Sequence, residues 1–536
     1  MRTRTTGTAS RLSGFVWAGV AGIVAAAAFL AAAEVVALLA GPTASPLLAV
    51  GSFVIDIAPQ WLKEFAISTF GAYDKVALLA GLTLAVVIAA AIAGILEYLR
   101  PPLGILAFVV AGGLSLAATL TRAGTGAFAF LGPLAGTIAA AITIFLLARR
   151  LRAADRVATG GEDAAGPDRR GFFRLAGIAA ASALVVGAGS RILSGVMTSI
   201  TAAREALRIP DPRSRVTVPE GAKLDVEGIS PLFTPNGDFY RVDTALTVPE
   251  VDPASWRLVV DGMVDRRVEL SFDDLVGMGL DEYSITLTCV SNEVGGGLVG
   301  SARWLGVPVR DVLATAGVSA DADMVLSRSI DGYTASTPLD ALTDDGRDAI
   351  FAVAMNGEPL PLEHGFPVRM VVPGLYGYVS ATKWVTELKV TTFAEDEAYW
   401  TPRGYAAEAP IKMSSRIDTP RSGTPVSAGT VAVAGVAWAQ TVGIERVEVR
   451  IDEGGWQSAR LSAPVNEDTW VQWVLEWDAE PGTHYITVRA IDAEGNMQIE
   501  ERAPIAPNGS SGWQRTLITV NGGAAPVARP WTSVDG

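Results

Sequence analysis

The sequence predicts an α-helical membrane region followed by a mixed α+β domain and then a β-sandwich. Three observations predict it. Ala, Leu, Val and Ile crowd the first 200 residues in runs long enough to cross a bilayer. From Asp238 onward, short β-branched and aromatic runs alternate with Gly, Pro and Asp turns and with a few helical stretches. After Tyr405 only short strands remain. At 536 residues the chain has room for three or four domains, taking about 150 residues as a soft prior for each. Hydrophobic residues make up 50% of it and the mean hydropathy is +0.34.

A spanning helix needs about 20 largely apolar residues. Four stretches within residues 1–150 satisfy this: Gly14–Leu39, Val76–Leu96, Leu103–Leu120 and Ala127–Ala148. Between the first two, the mixed piece from Pro46 to Phe70 contains PQWLKEF, which reads as interfacial. Arg2, Arg4 and Arg11 precede the first span, Arg100 sits between the second and third, and Arg149, Arg150, Arg152 and Arg156 follow the fourth. Four crossings put all of these on one side, which the positive-inside rule makes cytoplasmic. A fifth apolar stretch, Leu175–Leu193, then carries the chain outward, so the protein is expected to be multi-pass in the cell membrane with residues beyond about Thr201 extracytoplasmic.

Residues 151–200 thus form a basic cytoplasmic linker and the fifth span. Within them, Asp168-Arg169-Arg170-Gly171-Phe172-Phe173-Arg174 is either a twin-arginine export signal placed internally or a basic stop before a helix. The distinction matters because the twin-arginine route moves folded proteins, with any cofactor already inserted. Glu34 lies in the first span, where a carboxylate is costly; it is either functional or placed near the outer interface. The two histidines, His364 and His484, both lie in the soluble part, so the spans cannot hold haem between paired imidazoles and no haem is expected.

Residues 201–228 read as a polar linker with Pro210 and Pro212, and 229–410 as the α+β domain. WRLVVDG from Trp256, YSITLTCV from Tyr283 and VRMVVPG from Val368 read as strands. SFDDLVGM, capped by Ser271, and VPVRDVLATAGV from Val307 read as short helices. Over 411–522 the runs TVAVAGVAWA, IERVEVRID, WVQWVLEWDA and HYITVRAID alternate apolar and polar residues between turns, the pattern of an immunoglobulin-like β-sandwich. Residues 523–536 are a tail.

The net charge of -14 argues against a nucleic-acid partner, which needs clustered Lys and Arg. One cysteine excludes an intrachain disulfide and leaves two readings of Cys289: a small buried hydrophobe, or a reactive or metal-ligating thiol.

The neighbours of Cys289 bear on that choice. TLTCVSNEVGG places it at a strand end running into a Gly-rich loop; Asn236-Gly237-Asp238-Phe239-Tyr240-Arg241 and MNGEPLPLEHGFPVRMVVPGLYGYVSATKW flank it in sequence, and Tyr399-Trp400-Thr401-Pro402-Arg403-Gly404-Tyr405 follows. In this order, over about Gly228 to Val520, these segments resemble the sulfite oxidase family of molybdopterin enzymes. The resemblance implies a sulfite-oxidase-type molybdopterin domain followed by an immunoglobulin-like domain of the kind that mediates homodimers. It implies that Cys289 ligates molybdenum, a role that suits a soft thiolate, with Asn236, Tyr240, Arg241, His364, Arg369, Ser380 and Lys383 holding the pterin and its phosphate, and Tyr405 as an active-site phenol. The membrane region lies outside it.

The pattern also breaks. Where the family's sulfite-binding arginines are expected, this chain has Val242 and Asp243 in one segment and Val294 beside Glu293 in another. Read on a strand, Arg241 is one position early and faces the other way. The expectation is therefore a membrane-anchored molybdenum-cofactor oxidoreductase that carries out two-electron oxygen-atom transfer on a small substrate other than sulfite. Electrons pass to a separate partner or to a membrane quinone, and the sequence does not choose between oxidation and reduction. The alternative is a non-enzymatic envelope protein that keeps the scaffold and uses the sandwich for protein contacts.

Overall fold

The computed structural model describes residues 6–40, 74–121, 128–159, 195–245 and 247–522, with a few single positions besides. The twin-arginine-like sequence, nearly all of the fifth apolar stretch and the tail beyond residue 522 lie outside the described residues. The chain forms two compact units, one of apolar helices and one holding residues 200–243 and everything described from residue 249.

In the first unit, helices Thr6–Ala40, Asp74–Leu99, Leu103–Leu120 and Leu131–Thr159 are long and apolar enough to cross a membrane. The fourth opens at Leu131 and not at Ala127, after a turn over residues 128–130. Small residues let the first two helices meet backbone to backbone: a Cβ at Gly22 would collide with the carbonyl of Ala90, and one at Gly94 with that of Ala18. Close approach of this kind is how helices associate where lipid offers no hydrophobic gain. Glu97 is buried, and its Oε2 accepts from the amides of Gly104 and Ile105, both at 3.1 Å. The carboxylate thereby satisfies first-turn N–H groups that the next helix cannot pair internally. Arg152 donates to the Glu97 carbonyl at 2.6 Å. Glu34 is half-buried.

The second unit begins with β1 (Arg257–Gly262), β2 (Val268–Ser271), β3 (Asp281–Thr288), β4 (Val299–Pro308) and β5 (Met324–Ser329). It continues with β6 (Thr334–Pro338), β7 (Ile350–Met355), β8 (Glu358–Pro359), β9 (Arg369–Val371) and β10 (Val385–Thr391). One sheet runs β2-β1-β10-β5-β6, with β1 and β10 parallel; the other runs β3-β4-β7-β8, with β9 on β7. Every residue of β7, IFAVAM, is buried, as a continuous apolar run requires. Ser271 caps helix Phe272–Gly277, as its sequence predicts, and the structure adds Asp274 to complete a capping box. The stretch VRMVVPG contributes only the short β9.

The sandwich follows. Its strands are β11 (Ser414–Thr419), β12 (Val426–Ser427), β13 (Gly429–Trp438), β14 (Ile444–Ile451) and β15 (Gln457–Ser458). The remainder are β16 (Arg460–Leu461), β17 (Val471–Ala479), β18 (Gly482–Asp492) and β19 (Gln514–Asn521). They form the sheets β11-β13-β17-β16 and β12-β19-β18-β14-β15. Val433, Val447, Val449, Trp473, Ile486 and Val488 fill the space between them.

Residues 201–228, whose composition reads as a linker, run largely exposed but are tied down at a few points. Helix Gly195–Ala206 runs into them, and its Arg204 donates to the carbonyls of Leu360 at 2.8 Å and Pro359 at 2.7 Å. Leu224 is buried and its amide donates to Gln472 Oε1 at 2.6 Å. Isolated apolar residues in a polar stretch supply the anchors, which a composition average hides.

Candidate metal centre

Cys289 follows the last residue of β3, a strand whose inner half is buried on both faces. The loop after it closes on itself. The Cys289 amide donates to Leu298 O at 2.9 Å, the Asn292 amide donates to Cys289 O at 3.0 Å, and Asn292 Oδ1 accepts from the Leu298 amide at 2.9 Å. The thiol is buried, which pushes its pKa up; hydrogen bonds from the Ser291 amide and hydroxyl and the charge of Lys383 pull it back.

Gly365 brings two cations toward this region. Its φ of +110° suits glycine, and a Cβ there would lie 2.9 Å from Arg369 Cβ and 3.2 Å from Lys383 Cβ. Arg369 is buried. Its guanidinium makes only long bonds, to the carbonyls of Met370 and His364 at 3.3 Å and Ala381 at 3.4 Å, and lies 5.2 Å from the Trp304 ring. Among the described residues it has no carboxylate partner. Burial lowers its pKa to about 10, so it stays charged at neutral pH.

Lys383 is kept differently. Its Nζ lies 2.6 Å from Asp243 Oδ2 and donates to Glu363 O at 3.1 Å. Burial lowers its pKa to about 8, against the pull of Asp243. The same carboxylate takes Arg241 Nε at 2.9 Å. No strand covers residues 236–243, so the strand-face argument for Arg241 does not hold: the chain there is a turn and irregular backbone, and Arg241 folds back on Asp243.

His364 is buried, and its Nε2 is 3.2 Å from Asn236 O. Burial, with the charges of Arg369 and Lys383, lowers its pKa to about 4. The ring is therefore neutral; facing a carbonyl, Nε2 carries the proton and Nδ1 is left as an acceptor. The Asn236 side chain is engaged within the protein, donating to Met355 O at 3.2 Å and accepting from Asn356 Nδ2 at 2.9 Å. Ser380 is buried, and its hydroxyl donates toward Tyr376 O at 3.0 Å and Leu375 O at 3.1 Å.

Phenols complete the cluster. Tyr240 stacks on Phe239 and is raised in pKa by burial, then by the Cys289 charge, with Arg369 opposing. Tyr333 and Tyr376 respond to Cys289 in the same direction: burial is the largest cause for both, and Tyr376 rises to about 12. Neither was singled out in the sequence. Tyr333 follows an Asp-Gly turn that reads as an ordinary hairpin, and nothing local marks it. Tyr405 is buried, its ring 5.5 Å from Tyr378 and 5.2 Å from Trp400, and it joins the cluster through Tyr378.

These residues fit a bound anionic sulfur-ligand cofactor. A buried guanidinium without a counter-ion costs several kcal/mol unless an anion meets it. The Thr288 hydroxyl, next to Cys289, is buried with no partner, a polar atom awaiting one. Among the described residues no three His, Cys, Asp or Glu side chains gather to hold a metal, so a metal at Cys289 would take its other ligands from a non-protein group.

The profile of the oxidoreductase molybdopterin binding domain matches residues 245–400, and that of a bacterial Ig domain matches 414–488. Mitochondrial sulfite oxidase of Rattus norvegicus is 33% identical over 324 residues, covering 51% of this chain and 58% of the relative. Sulfite oxidase of Gallus gallus is 30% identical over 346 residues, covering 56% of this chain and 75% of the relative. The sulfane dehydrogenase SoxCD from Paracoccus pantotrophus aligns in structure with a TM-score of 0.48 and 24% identity, over 55% of this chain and 82% of that one. Fold and site together define a molybdopterin-type oxidoreductase scaffold with a C-terminal immunoglobulin-like domain. The chain belongs to the sulfite oxidase family. It spans little more than half the length of the mammalian relatives it matches.

Proposed function

We propose that this chain is a membrane-anchored molybdenum-cofactor oxidoreductase that moves an oxygen atom to or from a small uncharged substrate at the extracytoplasmic face. The observation that carries the reading is Arg369, buried and charged and without a counter-ion among the described residues, in one cluster with the chain's single thiol. Cys289 would ligate the metal; Arg369, His364, Lys383, Ser380, Asn236 and Tyr240 would hold the pterin and its phosphate. Such a cofactor supplies a two-electron metal couple able to give or take an oxygen atom.

The chain's own groups define what the substrate meets. Tyr333 and Tyr376 keep their protons at neutral pH and add no charge, the Tyr333 hydroxyl donating to Tyr378 O at 2.8 Å. Tyr405, ringed by Tyr378 and Trp400, is the phenol assigned to the substrate oxygen as a hydrogen-bond or proton donor. Asp243 is shared by Lys383 and Arg241, and valines stand at positions 242 and 294, so apart from Arg369, assigned to the cofactor, the cluster offers a dianion no unpaired guanidinium fork among the described residues. Electrons pass to a separate partner or a membrane quinone. No haem is proposed: His364 belongs to the cluster, and His484 is bonded to Asp452 and to the Glu480 carbonyl. The sandwich is a candidate surface for homodimer formation.

The test is metal and pterin analysis of the detergent-purified full chain expressed with molybdate, followed by a substrate screen. The expected result is about one molybdenum and one pterin per chain, with neutral S-oxides or thioethers turned over in preference to sulfite. Protein free of both would defeat the cofactor assignment, and sulfite as the fastest substrate would defeat the substrate class.

A further inference from the structure

Three sandwich residues reach into the Cys289 loop. Ser510 Oγ donates to Asn292 O at 2.6 Å. Arg416, on β11, is buried and divides its guanidinium among Gly296 O at 2.9 Å, Ser230 Oγ at 2.8 Å and Asp418 Oδ1 at 2.7 Å. Gln514, on β19, lies so close to Gly295 that a Cβ there would come within 2.9 Å of its Cδ. Asn292 is the residue whose amide holds the Cys289 carbonyl and whose side chain holds Leu298, so a tether on Asn292 is a tether on Cys289.

The segment carrying Ser510 also braces the phenols. Pro507 O accepts from the Ala406 amide at 3.0 Å, next to Tyr405, and Gly509, at φ +93°, lies directly against the Tyr376 hydroxyl. Lys412 fixes this segment from below, donating to Asn508 Oδ1 at 3.0 Å and to Gly509 O at 2.5 Å. One sandwich loop therefore touches the thiol loop, the Tyr405 segment and Tyr376.

We propose that the immunoglobulin-like domain sets the position of the metal-ligating thiol, with Ser510 and Arg416 as positioning residues that act on Cys289 through Asn292 and Gly296. The proposal rests on the reading of Cys289 as the ligand, and it predicts that loosening the clamp changes the thiol before it changes the fold. Because Cys289 is the sole cysteine, maleimide labelling of the full chain in detergent reports on it alone.

Wild type, Ser510→Ala, Ser510→Thr, Arg416→Lys and Val449→Ala are labelled after expression without molybdate, and the molybdate-grown proteins are compared by molybdenum(V) paramagnetic resonance. Val449 lies in the sandwich core away from the loop and serves as a control for general destabilisation. Ser510→Ala is expected to label about tenfold faster, the factor that one net hydrogen bond commands, and to shift the resonance of the loaded protein. Arg416→Lys moves both readouts the same way, Ser510→Thr restores the wild-type rate, and Val449→Ala leaves it unchanged. Labelling of Ser510→Ala at the wild-type rate, or equal acceleration by Val449→Ala, would overturn the proposal. A wild type without molybdenum defeats the cofactor reading instead, while the labelling series still decides whether the clamp exists.

Discussion

Arg369 and Arg416 are both buried, yet they are kept in opposite ways. Arg416, in the sandwich, has a carboxylate, a hydroxyl and a carbonyl at 2.7–2.9 Å. Arg369, in the cluster around Cys289, has three carbonyls at 3.3–3.4 Å and no carboxylate among the described residues. The first is a finished structural joint. The second is a cation that the anionic cofactor proposed above would balance. Carboxylates show the same contrast. Asp418 is paired with Arg416, whereas buried Asp468, with no cation within ion-pair distance among the described residues, is pushed by burial up to about 7. An isolated buried acid can neutralise itself by keeping its proton; a guanidinium cannot, and so needs a partner.

The comparison can be broken by substitution. Arg416→Met leaves Asp418 buried and unpaired and is expected to cost about 3–5 kcal/mol in denaturant unfolding. A loss below about 1 kcal/mol would show that Arg416 is no joint.

Asp468 gives the next effect, through pH. Its folded-state pKa lies above the unfolded value of 3.8, so between about pH 4 and 7 the folded chain holds a proton that the unfolded chain has released. Stability should fall as pH rises through that window, with a limiting slope of about 1.4 kcal/mol per unit, and level off above it. Asp468→Asn should remove this slope from the unfolding profile.

Arg369→Met should behave unlike Arg416→Met. In protein made without molybdate, it is expected to be neutral or stabilising by about 1 kcal/mol, since it removes an uncompensated buried charge. Cofactor loading should nevertheless drop. Equal destabilisation by the two substitutions would erase the distinction between them.

His484 provides the smallest change. Asp452, at 2.8 Å from Nδ1, raises its pKa, helped by the Glu480 carbonyl at Nε2. Two acceptors favour the imidazolium, so this stabilisation is present below about pH 6.5 and is lost as pH rises through the raised folded value. His484→Gln should flatten that limb of the melting profile.

Much of this was legible in the sequence because the signals are local. Apolar runs mark the four helices, Ser271 announces its helix cap, and alternating runs give the long sandwich strands. The place of Cys289 at a strand end was legible because the strand and the Gly-rich loop are contiguous with it. What stayed hidden depends on partners distant in sequence. Asp243 reads as a missing arginine, and only folding shows it gripping Lys383 140 positions away. Tyr333 is one tyrosine after a turn until the sheets bring it near Cys289. Arg241 was placed on a strand that the backbone does not form, and the anchors of the exposed stretch 201–228, Arg204 and Leu224, meet partners far away in sequence.

The central claim is that Cys289 supplies a sulfur ligand to molybdenum. X-ray absorption at the molybdenum edge of wild type and Cys289→Ser, both grown with molybdate, tests it most directly. The account predicts one sulfur neighbour fewer in the variant, with a folded chain by circular dichroism. Indistinguishable spectra from the two loaded proteins would contradict it.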